Sequence, residues 1–175
     1  DQHAIHESIS NQICSAYQSI GSPAVAVRSS ATAEDLPGTS FAGQQDTFLN
    51  IVGEPALLAS VKLCWSSLWT ARAISYRMHH QISQDGLSIA VVVQQMVQSD
   101  VSGVAFTANP LNGIRSQTVI NATVGLGEAL VSGKVEADQY VVDCEQMKII
   151  SQSIGQKAIS IRSSAGGGTF TQTEV

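Results

Sequence analysis

The stretch PAVAVRSSATAEDLPGTSFAGQQDTFLN, residues 23–50, places a long polar segment between two apolar runs. Around Val25 and Val27 the apolar residues do not alternate with polar ones, which is typical of a strand covered on both faces. The run QDTFLNIV, residues 45–52, predicts a strand that returns after the polar segment. The stretch therefore predicts two strands joined by a long polar loop.

The loop between these strands is dense in small hydrogen-bonding groups. Gly38 and Gly43 allow the backbone to come close to a ligand, and glycine-rich loops of this kind cradle phosphate oxygens. Donors around them come from Thr39, Ser40, Gln44, Gln45 and Thr47. Arg28 stands before the loop, where a guanidinium can bind phosphate oxygens in bidentate fashion. A second interpretation stays open here, because a solvated loop can use the same glycines only to make turns.

Helical spacing dominates the segments on either side of this stretch. Apolar residues before it recur every three or four positions, and Gly21 and Pro23 then end the predicted helix. These apolar residues are Ala4, Ile5, Ile9, Ile13, Tyr17 and Ile20. A second helix is predicted after Gly53 and Pro55, with one continuous apolar stripe toward Tyr76. That stripe consists of Leu57, Val61, Cys64, Leu68 and Ala71.

After Asp85 and Gly86 the sequence changes to short runs rich in β-branched residues. The runs are SIAVVVQQMV, VSGVAFTAN, QTVINAT, DQYVVD and MKIISQSI. Turn residues separate them, so this half of the chain predicts an antiparallel sheet with close turns. Helices that precede strands predict an α+β fold with a helix-containing lobe and a sheet lobe, and we expect the lobe boundary near residues 84–88.

Composition restricts the classes of function. The chain has 175 residues, of which 43% are hydrophobic and 13% charged, so it can bury a substantial core. A net charge of -5, with nine basic residues scattered along the chain, argues against binding to nucleic acid. Cys14, Cys64 and Cys144 lack CxxC spacing, which predicts neither a disulfide framework nor a zinc site. No apolar run reaches the roughly 20 residues of a membrane helix, and we expect a soluble, cytoplasmic protein without a membrane partner.

The order of residues in AVRSSATAEDLPGTSFAGQQDTFLN closely resembles the amino-terminal nucleotide-binding domain of the phosphoenolpyruvate synthase, pyruvate phosphate dikinase and rifampicin phosphotransferase family. Further matching pieces follow in the family's order, namely CWSSLWTARAISYR, VVVQQMVQSDVSGVAFTANP and GLGEALVSGKVEADQY. The resemblance covers residues 22–143. It implies an ATP-grasp-like fold that takes Mg²⁺-ATP, phosphorylates a histidine on a separate swivelling domain and releases AMP.

The resemblance also implies roles for residues at matching positions. Arg28 would contact the nucleotide phosphates and is the residue that we expect to act in catalysis. Gly43 and Thr47 match loop positions that touch the nucleotide, and Gln94 matches the glutamine of the strand beside adenine. The expected nucleotide-binding residues are Arg28, Gly38, Thr39, Gly43, Gln44, Thr47, Gln94, Gln95, Met96 and Val97. The apolar run 91–93 would then form part of the adenine pocket.

The sequence assigns no metal ligand. Glu34 and Asp35 carry carboxylates that suit Mg²⁺, yet such a pair more often caps a turn or a helix start. Glu128 in GLGEAL is favoured by the dipole of the short helix that it starts, whether or not it touches a ligand. His79 and His80 are adjacent, unlike the four-residue spacing of a metal pair, and we expect both to be solvated. The resemblance implies that the Mg²⁺ ligands lie outside this chain.

Several parts of the family's machinery do not appear in this sequence. Family members carry a lysine upstream of the first helix, and a downstream Glu and Gln, close to an Arg-Pro pair, that hold the metal. Because the chain begins at Asp1 without a methionine and its last stretch is open-ended, we expect a fragment of a longer protein. A fragment without the phosphohistidine domain and the acceptor-binding domain is expected not to turn over.

Two hypotheses about function follow from these residues and the resemblance. The leading one is the ATP-binding portion of a dikinase-type phosphotransferase, on the route to phosphoenolpyruvate or to a phosphorylated acceptor such as rifampicin. The alternative is a non-catalytic nucleotide-binding or regulatory module with the same fold. A Glu, a Gln and an Arg-Pro pair beyond residue 175 would favour the enzyme.

Overall fold

The computed structural model describes residues 4–31, 47–83 and 87–174. The chain forms two compact units, the first Asp1–Met96 with Ala165–Gly168 and the second Val97–Ser164 with Thr169–Val175. Helices and antiparallel sheets occur together, which confirms the predicted α+β class.

The first unit contains three helices and three strands. Its elements are α1 (Glu7–Ser19), β1 (Val25–Ala31), β2 (Thr47–Ile51), α2 (Glu54–Ser67), α3 (Ala71–His79) and β3 (Ile89–Gln95). The strand order is β2-β1-β3, and both neighbours of β1 are antiparallel to it. The core joins α1, α2 and β1 through buried Tyr17, Val25, Val27, Leu57 and Val61. The central strand β1 is thus covered by helix on one face.

The single helix predicted toward Tyr76 is wrong, because α2 ends at Ser67 and α3 begins at Ala71. Thr70 Oγ1 accepts a hydrogen bond from the backbone N–H of Ala73 at 3.3 Å and caps the start of α3. Arg77 donates from Nη1 to the carbonyl oxygen of Leu68 at 2.8 Å. These two side chains satisfy backbone groups that a continuous helix would pair internally.

The second unit is mostly β-sheet. Its elements are β4 (Val101–Phe106), β5 (Gln117–Val124), α4 (Glu128–Val131), β6 (Asp138–Asp143), β7 (Lys148–Ser153), β8 (Ile159–Ser163) and β9 (Thr169–Thr173). Strands β4 to β7 form an antiparallel sheet in sequence order, and β8 pairs with β9 in a separate hairpin. The five strands predicted from the β-branched runs are β3 to β7, and all five are confirmed.

The lobe boundary expected near residues 84–88 stays a prediction, since residues 84–86 lie outside the described ranges. β3 follows that point in the sequence, yet it pairs with β1 over its whole length. The boundary between the two compact units accordingly falls between Met96 and Val97. None of the helices in the described ranges has the length and apolar content to cross a lipid bilayer.

Candidate nucleotide-binding site

The three-stranded sheet of the first unit has two chemically different faces. Side chains alternate across a strand, so residues paired across an antiparallel ladder share a face. The face against the helices carries Val25, Val27, Phe48, Val91 and Val93. The opposite face carries Ala26, Arg28, Thr47, Val92 and Gln94. The prediction that β1 is covered on both faces therefore holds at residues 25–27 and is wrong at Arg28, which is exposed.

Arg28 and Thr47 are direct cross-strand partners in the β1–β2 ladder. Partners of this kind have Cβ atoms roughly 5 Å apart and point the same way. Both side chains are exposed. The register thus brings together two of the predicted site residues, a cation and a hydroxyl, at the start of β2.

Arg28 places its charge on the exposed face of the first sheet. Among the residues that the structure describes, no carboxylate lies within ion-pair distance of its guanidinium. Its other cross-strand neighbour is Val92, an apolar side chain that is 46% exposed. A guanidinium, a hydroxyl and an apolar surface on one face can bind an anionic group next to a flat apolar one.

Gln94 lies on the same face as Arg28, opposite Ala26 in the β1–β3 ladder. Gln95 pairs with Val25 and therefore starts from the other face of the sheet. The backbone N–H of Met96 donates to the carbonyl oxygen of Ala24 at 2.9 Å, which continues the ladder by one residue. Val97 is 70% exposed and is the first residue of the second unit. The structure places Gln94 on the same face of the sheet as Arg28, whereas the side chain of Gln95 starts from the opposite face.

The remaining predicted residues of the loop lie outside the described ranges. They are Gly38, Thr39, Gly43 and Gln44, together with the carboxylates of Glu34 and Asp35. Their roles stay predictions. Within the described part of the chain, no three His, Cys, Asp or Glu side chains cluster as metal ligands. His79 and His80 are both exposed at the end of α3, as predicted.

The second glycine loop, residues 125–127, is a packing element. The backbone N–H of Gly125 donates to the Asp100 carbonyl oxygen at 2.8 Å, and that of Leu126 donates to the Ile161 carbonyl oxygen at 2.8 Å. The amides of Gly125 and Leu126 are therefore already paired within the second unit. Glu128 lies in the first turn of α4, as predicted, and accepts a hydrogen bond from Thr169 Oγ1 at 3.3 Å.

Asp138, which starts β6, is held by a local hydrogen-bonding network. Lys157 Nζ forms an ion pair with it, and the backbone N–H of Gly155 donates to the same carboxylate oxygen at 3.0 Å. The hydrogen bond from Lys157 lowers the pKa of Asp138 below its ordinary value, against the effect of partial burial, and the bond from Gly155 adds to it. The Asp138 carboxylate therefore stabilises the second unit.

Asn50, in the first sheet, has a structural role that could not be predicted from the sequence. It belongs to β2, is 2% exposed and has a φ of 55°. The available signal was the spacing of Phe48 and Ile51, two apolar residues three positions apart in a strand. Such a spacing puts both side chains on one face only if the strand carries an extra residue.

Comparison with known proteins gives a family match over nearly the whole chain. The family described as pyruvate phosphate dikinase, AMP/ATP-binding domain, matches residues 2–175. A probable phosphoenolpyruvate synthase of Archaeoglobus fulgidus is 56% identical over 133 residues, which is 76% of this chain and 18% of that protein. A rifampicin phosphotransferase of Bacillus cereus is 50% identical over 146 residues, which is 83% of this chain and 17% of that protein.

A phosphoenolpyruvate synthase of Pyrococcus furiosus is also similar, with 50% identity over 137 residues. That match covers 78% of this chain and 17% of the Pyrococcus protein. The chain thus spans less than a fifth of the length of each of these three relatives.

Proposed function

The chain belongs to the pyruvate phosphate dikinase AMP/ATP-binding domain family, and from that membership we propose that it is the ATP-binding portion of a dikinase-type phosphotransferase. The complete protein would use ATP to phosphorylate a histidine on a separate swivelling domain and would release AMP. The acceptor of the phosphoryl group would be pyruvate or a small molecule such as rifampicin, bound by a further domain of the same polypeptide.

The observation that carries this proposal is the pairing of Arg28 with Thr47 on the exposed face of the first sheet. In the proposed complex the guanidinium binds phosphate oxygens and neutralises the negative charge that develops during phosphoryl transfer. The hydroxyl of Thr47 donates a hydrogen bond to the same group of oxygens. Gly38, Thr39, Gly43 and Gln44 are proposed to complete the phosphate site from the loop.

The apolar part of the same face is proposed to receive the adenine ring. On β3, Val92 lies directly opposite Arg28, and Gln94 lies two residues further along on the same face. An apolar surface and an amide are therefore close to the phosphate-binding cation. Met96 and Val97 follow directly. Gln95 is retained in the proposal only through its backbone, because its side chain starts from the helix-covered face.

Catalysis in this portion of the protein would consist of positioning and charge neutralisation. No acid–base residue of this chain is required for it. Mg²⁺ would neutralise phosphate charge further, and we propose that its protein ligands lie outside this chain. We expect the 175-residue chain alone to form no AMP from ATP, since the acceptor histidine belongs to another domain.

Replacement of Arg28 in the full-length protein tests the proposal directly. Arg28→Ala removes a charge-assisted bidentate contact worth roughly 1.5 to 3 kcal/mol, so ATP affinity should fall about tenfold or more. Because Arg28 is exposed, the melting temperature should hardly change. Titration calorimetry measures the affinity, and Arg115→Ala, an exposed arginine in a turn of the second unit, is the matched control. An unchanged affinity in folded Arg28→Ala would remove this face from the nucleotide site.

A further inference from the structure

The spacing of apolar residues in β2 does not fit a regular strand. Phe48 and Ile51 both pack against the core cluster, although residues three positions apart in a strand point to opposite faces. The ladder with β1 shows how both reach the core. Val25 pairs with Ile51 and Val27 pairs with Phe48, so two steps along β1 correspond to three along β2. β2 therefore contains a β-bulge with one extra residue.

The backbone of Asn50 accommodates that extra residue. Its φ of 55° lies in the left-handed region, which asparagine tolerates better than most residues and which β-branched residues strongly resist. Its side chain is almost fully buried. Nδ2 donates to the carbonyl oxygen of Gly168 at 2.7 Å, and the backbone N–H of Gly168 donates to the carbonyl oxygen of Asn50 at 2.8 Å. The bulge is thus fixed by bonds from outside the strand pair.

The bulge decides which residue lies opposite Arg28. If the register set by Val25 and Ile51 continued without it, Arg28 would pair with Phe48, and Thr47 would move opposite Ser29. Phe48 would then leave the core for the exposed face, and Thr47 would turn toward the helices. With the extra residue, Phe48 lies opposite Val27 in the core and Thr47 lies opposite Arg28.

We propose that Asn50 is a positioning residue of the nucleotide site, because its left-handed backbone and its bonds to Gly168 hold the bulge that sets Thr47 beside Arg28. This inference rests on the proposed function. Asn50 itself lies in the interior and contacts no ligand in this proposal. Its effect on nucleotide binding runs through the register of β2.

The test compares two substitutions in the full-length protein. Asn50→Gly removes the side chain but keeps the left-handed backbone accessible, so ATP affinity should stay within about threefold of the natural protein. Asn50→Val opposes the left-handed conformation. Because loss of the bulge would both move Thr47 away from Arg28 and put Phe48 opposite it, ATP binding should weaken about tenfold or more. Gln81→Val is the matched control, since Gln81 has a φ of 54° at the exposed end of α3. It introduces the same backbone strain away from the sheet and should leave ATP affinity unchanged.

A purely structural role for Asn50 predicts a different result. Both Asn50 variants would then lose thermal stability while their folded fraction bound ATP with natural affinity, and that outcome would overturn the inference. If Asn50→Val does not fold, Asn50→Ala decides the question by the same affinity measurement, with an expected weakening of about threefold to tenfold relative to Asn50→Gly.

Failure of this inference is distinguishable from failure of the proposed function. If Arg28→Ala weakens ATP binding and Asn50→Val does not, the nucleotide site stands and Asn50 has no part in it. If Arg28→Ala itself binds ATP normally, the site is elsewhere and both proposals are lost.

Discussion

The bulge at Asn50 in the first unit and the turn at Gly125 in the second both use left-handed backbone, yet for opposite reasons. At Gly125, with a φ of 77°, a Cβ would lie 2.5 Å from the carbonyl oxygen of Ile161, so no side chain fits. At Asn50 there is room for a side chain, and its amide donates to the carbonyl oxygen of Gly168. At both positions the left-handed residue lies where two segments of the chain meet closely. The space around the residue and the hydrogen bonds open to its side chain determine whether such a position holds glycine or asparagine.

The largest effect that this comparison predicts is at Gly125. Gly125→Ala adds a Cβ against the Ile161 backbone and forces a non-glycine residue into left-handed conformation, which together should cost roughly 3 kcal/mol of unfolding free energy. Gly127→Ala is the matched control in the same loop, since its φ is -62° and its Cβ would meet only Ser102 at 3.6 Å. That variant should stay within about 0.5 kcal/mol. Urea unfolding measures both, and equal losses would contradict the packing explanation.

A smaller effect, on binding and not on stability, is predicted at Thr47. Thr47→Val keeps the β-branched shape in an exposed strand position, so the free energy of unfolding should hardly change. Loss of the hydroxyl removes one hydrogen bond to a phosphate oxygen, worth about 1 kcal/mol, and ATP affinity should fall about fivefold. Calorimetric titration of the full-length variant provides the measurement. Natural affinity in Thr47→Val would leave Arg28 as the only supported phosphate contact of this face.

The smallest effect is a pH dependence in the second unit. The Lys157 ammonium and the Gly155 amide hold the pKa of Asp138 below its ordinary value of 3.8. Because the folded-state pKa is the lower one, this stabilisation is complete above pH 3.8 and is lost as pH falls through the folded-state pKa. Lys157→Met should therefore lower the urea midpoint at neutral pH, and its difference from the natural protein should shrink in acid. Lys134→Met, at an exposed lysine that follows α4, should show no such pH-dependent difference.

The secondary-structure elements that could be predicted from the sequence are those marked by a pattern of neighbouring residues. β-branched runs bounded by turn residues located β3 to β7, and the order of residues from Arg28 onward identified the family. The break between α2 and α3 escaped prediction because the apolar spacing continues through it, while the features that stop the helix are the cap at Thr70 and the bond from Arg77. β8 and β9 also escaped prediction, since polar residues interrupt both strands.

Within the candidate site, the residue types could be predicted from the sequence. Which of these residues are neighbours depends on the register between the strands. Arg28, Thr47 and Gln94 were all predicted from the residues and the family resemblance, but their common face follows from two ladders and one bulge. The partner of Asn50 is Gly168, which is 118 residues away in the sequence. No local pattern can specify a contact at that separation.

The bond between Asn50 and Gly168 also constrains how the protein is made. A ribosome that adds roughly 5 to 20 residues per second needs on the order of 10 s to travel from Asn50 to Gly168. During that interval β1 and β2 can emerge and pair, yet the two hydrogen bonds that fix the bulge cannot form until Gly168 has been synthesised. The first unit, which includes Ala165–Gly168, is therefore completed only after the greater part of the second has left the ribosome.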